Sequence, residues 1–129
     1  MIGFTDSDWA GDRTDRKSTS GYVFMLAEGP MSWSSKKQSA IALSYTEAKY
    51  IGVVNAATQC LWLQGLLGEC GFKPEYSTTI YCDNQSTIQI YKIQFRSREP
   101  DTLIFTCTTS ESLCMMAPFT YSSVHLQNK

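Results

Sequence analysis

The chain is poor in the residues that build zinc centres and disulfide frameworks. Its 129 residues hold one histidine, His125, and five cysteines, with no two cysteines in a CxxC pair. The ligand spacing of a zinc site is missing, and an odd number of thiols makes no closed set of bridges. Reduced thiols in an intracellular protein, cytoplasmic or nuclear and not secreted, are the expectation from that usage. No apolar run is long enough for a membrane helix, and the N-terminus has neither a basic nor an apolar signal region. Excess charge is scarce as well: 11 Lys and Arg stand against 12 Asp and Glu, a formal net charge of −1. Affinity for nucleic acid would have to come from local cations such as Arg13, Arg16, Lys17, Lys36 and Lys37.

What is present is a one-domain length with ordinary apolar and charged fractions, enough for a single core. Ile2 to Thr5 reads as a strand ending at Asp6, and Met1-Ile2-Gly3 enters it directly, as if the start lay inside a larger ancestral polypeptide. After a polar loop, Tyr22 to Leu26 and Met31 to Ser35 read as strands around a Glu28-Gly29-Pro30 turn, giving an antiparallel meander. Ser44-Tyr45-Thr46-Glu47 has the form of a capping box opening a long helix. That helix carries Tyr45, Ala48, Ile51, Val54, Cys60, Leu63 and Leu67 on its apolar side and ends at Gly71. Gly52 either weakens it or permits close packing. Thr78 to Cys82 is a fourth strand, and Ser86 to Tyr91 starts another helix. A strand reached by such a crossover pairs parallel to an earlier one. Thr102 to Thr109 has strand-like composition, but Ser, Thr, Cys and Met dominate onward, interrupted by Pro100 and Pro118. The division expected is a domain over 1–95 and a divergent, poorly ordered tail over 96–129.

Three carboxylates stand at element ends: Asp6, Glu47 and Asp83. Converging, they would form an all-oxygen site for hard divalent cations. Without cations such a cluster repels itself by several kcal/mol. Each acid also has a plainer explanation. Glu47 completes the capping box, Asp83 caps the following helix, and Asp6 starts a turn. Trp9, Trp33 and Trp62 read as packing residues rather than base-stacking platforms. Asn84 and Gln85 are either ordinary turn residues or amides placed to reach a groove edge or ribose hydroxyl.

Five stretches carry a resemblance. They are residues Asp6-Ser7-Asp8-Trp9-Ala10-Gly11-Asp12, Asp15 to Phe24, Ser32 to Gln38, Ala42 to Ala48 and Tyr81-Cys82-Asp83-Asn84-Gln85-Ser86. In order and spacing they resemble the ribonuclease H domain of copia-type LTR retrotransposon Pol polyproteins, over residues 2–92. The resemblance implies the ribonuclease H-like α/β fold, a mixed five-stranded sheet with flanking helices. Its strands 1–3 would be antiparallel and strand 4 parallel to strand 1. It implies Asp6, Glu47 and Asp83 as catalytic metal ligands for two Mg2+ ions, with Mn2+ an acceptable substitute. It also implies Ser44, Asn84 and Gln85 as contacts to an RNA–DNA hybrid, ancestral fusion to a reverse transcriptase, and no membrane association.

The chain departs from that pattern after Phe95-Arg96-Ser97-Arg98. The family continues to a fifth strand and a final helix with a fourth aspartate, and neither Asp101 nor Glu111 has the matching context. A frameshift, stop or altered splice in a decayed element produces such a text. A missing fifth strand would expose the edge of strand four. The function expected is metal-dependent endonucleolytic hydrolysis of the RNA strand of hybrids, impaired by loss of the fourth carboxylate. The alternatives are a non-catalytic nucleic-acid-binding remnant or an inert fragment.

Overall fold

The computed structural model describes residues 1–72, 77–95, 103–107 and 115–116. The elements run β1 (Ile2–Ser7), β2 (Thr19–Leu26), β3 (Gly29–Lys37), α1 (Tyr45–Glu69), β4 (Thr78–Cys82), α2 (Gln85–Phe95), β5 (Leu103–Cys107) and β6 (Met115–Met116). They form one mixed sheet in the order β3-β2-β1-β4-β5-β6. The meander β1-β2-β3 is antiparallel, and β4 lies parallel to β1, as the crossover through α1 requires.

Strand β1 alternates strictly. Gly3, Thr5 and Ser7 are buried, while Ile2, Phe4 and Asp6 are exposed. Phe4 stacks on Tyr81 of the neighbouring strand, ring centroids 5.2 Å apart. Between the sheet and its helices Phe24, Val53, Ala56, Cys60, Leu63, Ile80 and Ile88 form the core. Gly3 lies under the Phe24 ring, where an added methyl would collide with ring carbons.

Helix α1 opens at Ser44, as the capping box predicts, and closes where Gly71 takes φ +84°. Its buried face is Ala48, Lys49, Gly52, Val53, Ala56, Ala57, Cys60 and Leu63. That face shares Ala48, Cys60 and Leu63 with the stripe read in the sequence, but Tyr45 is exposed and Ile51, Val54 and Leu67 are only half-buried. Small residues turn inward because the helix lies close on the sheet. A methyl at Gly52 would collide with Ser7 Oγ. The tryptophans also correct their expectation: Trp9, Trp33 and Trp62 are all exposed, Trp33 by 69%.

The expected bare edge of β4 is covered. Strand β5 pairs with it in parallel from Thr78↔Leu103 to Cys82↔Cys107. Phe105 is buried and packs its ring 4.7 Å from that of Tyr91 on α2. A run of β-branched and aromatic residues beside an unpaired strand finds its backbone partners there, whatever the composition around it. The rest of the expected loose tail, with Asp101 and Glu111, lies outside the described residues. Among the described residues no helix is long and apolar enough to cross a membrane.

Candidate functional site

One rim of the sheet collects the chemistry. The parallel register ends at Thr5↔Cys82, so the next residues along the two neighbouring strands, Asp6 still within β1 and Asp83 just past β4, stand side by side. The antiparallel meander brings the start of β2 and the end of β3 to the same rim, through Ser7↔Ser20 and Thr19↔Lys37. The loop from Asp8 to Ser18 therefore sits here, with Arg13 and Arg16 exposed in it and Lys36 exposed beside it. Its shape is held by side chains: Asp8 Oδ1 accepts from Thr19 N at 2.5 Å, and Lys37 donates to both Asp12 and Asp15.

Between Asp6 and Asp83 stands an ammonium group that the sequence reading passed over. Lys49 Nζ donates to Asp6 Oδ1 and, at 2.8 Å, to Asp83 Oδ2. The Tyr45 ring closes over it, 4.9 Å from Nζ to the centroid. The Lys49 side chain is 4% exposed. Burial alone would lower its ammonium pKa, but hydrogen bonds to Asp6, Asp83 and Tyr45 raise it above the ordinary lysine value. The same contact with Lys49 holds the Asp6 carboxyl below its usual range. Asp6 also accepts from Ser7 N at 2.7 Å, and the Tyr45 hydroxyl reaches Asp83 Oδ2 at 3.4 Å.

Glu47 goes elsewhere. Its Oε2 accepts from Leu43 N at 2.7 Å while its own N–H donates to Ser44 Oγ at 3.1 Å. The plainer reading, a capping interaction, describes it fully. The corresponding reading fails for Asp83, because Asn84 caps α2, its Oδ1 accepting from Thr87 N at 2.8 Å. Ser44 and Asn84, expected to touch a hybrid, thus spend side-chain oxygens on helix starts, and Gln85 begins α2 beside them. A signal for Lys49 was available. It lies four residues before Val53, on the row of small residues that packs on the sheet, where an unpaired charge is costly.

Two magnesium ions do not fit these residues. The carboxylate pair is already bridged by a cation, the third acid is engaged at a helix cap, and no three His, Cys, Asp or Glu side chains among the described residues could hold a metal. An ammonium about 4 Å from a divalent ion would remove about 8 kcal/mol, at an effective dielectric near 20, from the attraction that the two carboxylates exert on that ion. One feature remains that a cation would satisfy: Asp83 Oδ1 is buried with no hydrogen-bond partner.

Comparison with known proteins agrees with the fold. A crystal structure of LC11-RNase H1 in complex with an RNA/DNA hybrid superposes with a TM-score of 0.55, covering 88% of each chain at 15% identity. The fold is that of ribonuclease H. By sequence, this ribonuclease H-like domain is 45% identical over 93 residues to the retrovirus-related Pol polyprotein from transposon TNT 1-94 of Nicotiana tabacum, over 71% of its own length. It is 46% identical over 81 residues, 63% of its length, to the Pol polyprotein from transposon RE2 of Arabidopsis thaliana. These stretches amount to 7% and 6% of the two polyproteins, so the chain corresponds to a small part of such relatives. No family model matches. Fold and relatives together support a ribonuclease H domain of retrotransposon Pol descent.

Proposed function

We propose that this domain binds RNA–DNA hybrids at the Asp6–Asp83 rim and does not cut them. Support for the ligand comes from the fold it shares with a hybrid-bound ribonuclease H1 and from its Pol relatives. The exposed cations Arg13, Arg16 and Lys36 stand at that rim to meet phosphates, offsetting a chain that is acidic overall. The absence of turnover is carried by a single observation, the buried Lys49 ammonium between the two aspartates.

Fluorescence anisotropy with a labelled hybrid in EDTA tests the binding. Affinity is expected to fall with added salt, and Arg13→Ala with Arg16→Ala to flatten the log–log salt slope by about two. A hybrid that stays free at every salt concentration refutes the reading. A second reading, magnesium-dependent hydrolysis of the RNA strand, is favoured by the pairing of Asp6 with Asp83. Cleavage on a denaturing gel that Asp83→Asn abolishes would establish it over the first.

A further inference from the structure

We infer that Lys49 is an internal counter-cation that makes this rim reject divalent metals. Its ammonium takes the place a metal ion would hold between Asp6 and Asp83. Three independent features make this a built site rather than a chance surface pair. The ammonium bonds a carboxylate from each of two adjacent strands. It is shut from solvent at 4% exposure and roofed by the Tyr45 ring. Gly52, one turn further along the buried face of α1, lets the helix approach Ser7 closely enough for Lys49 to reach the strand ends. By contrast, Lys37, which also bridges two acids, is 45% exposed and can swing away.

The charge balance decides the selectivity. Two carboxylates and one ammonium give this three-group cluster a net charge of about −1, against −2 for the aspartates alone, and a divalent ion meets a positive group already in the centre. Replacing Lys49 with an acid reverses both terms and presents three carboxylates, including the unsatisfied Asp83 Oδ1. The inference concerns the ion and not the nucleic acid, so its test contains no hybrid and can fail separately from the binding reading.

The full chain is titrated with Mn2+ while paramagnetic broadening of the Ser7 and Asn84 amide signals is followed. No saturable broadening is expected at those amides in the native chain. Lys49→Glu is expected to bind Mn2+ at least about tenfold more tightly, an effect erased by adding Asp83→Asn. Lys49→Gln, which removes the charge with less disturbance, should move in the same direction. Saturable broadening in the native chain at the concentrations that saturate Lys49→Glu overturns the inference. Unchanged Mn2+ affinity in both folded variants overturns it too. Should neither variant fold, the native titration alone decides.

Discussion

At the scale of single residues, two acids, Glu47 and Asp12, have unequal meanings. Glu47 fastens the chain before the helix, accepting from Leu43 N. Its replacement by alanine should cost about 1 kcal/mol of unfolding free energy, the usual worth of a cap. Hybrid affinity should be unchanged. Urea denaturation and anisotropy on the same variant check both halves. Asp12 offers a pH prediction. The Lys37 hydrogen bond, helped by Thr14 N, lowers its carboxyl from 3.8 to about 2. A group depressed in the folded state contributes stability that is present above its unfolded value and lost as pH falls through the folded one. The Lys37 contact should therefore survive at pH 4 and open between there and about 2. A carbon-detected NMR titration of the Asp12 carboxyl reads this directly.

Among elements, the contact between α1 and β1 decides where the site lies. Gly52→Ala would gain about 1 kcal/mol in helix propensity yet press a methyl on Ser7 Oγ, which already donates to Ser20 Oγ at 2.9 Å. Overpacking of this kind costs about 1–3 kcal/mol, so a net loss in thermal stability is expected. The elements themselves were legible in the sequence. A short apolar run ending at an acid marked β1, the capping box marked α1, and an acid at the end of each parallel strand marked the rim. The inward face of α1 was legible only at Ala48, Cys60 and Leu63. Large apolar side chains suggested a stripe through Tyr45, Ile51 and Val54, whereas tight packing on a sheet selects glycine and alanine and carried Lys49 inward with them. Glu47, two residues earlier, fell outside that face. Spacing along the chain showed three acids near three element ends, but only the helix rotation determines which side chain enters.

For the molecule as a whole, the fold is more complete than the text after residue 95 suggests. Strand β5 extends the sheet past β4, and Phe105 joins the central core. The altered composition hid this, because a buried strand needs only a few apolar and β-branched residues in a row. Phe105→Ala should destabilise the entire domain by about 3–5 kcal/mol, seen as one cooperative shift in the urea midpoint. A shift under about 1 kcal/mol would mean that β5 adds little to the core. At this rim the sheet holds Asp6 and Asp83 together around Lys49. A crystal structure of the native chain grown with Mn2+ examines that arrangement most directly. It should show Lys49 Nζ within hydrogen-bonding distance of both aspartates and no anomalous manganese signal between them. A manganese peak bridging Asp6 and Asp83, with the Lys49 side chain displaced, would contradict it.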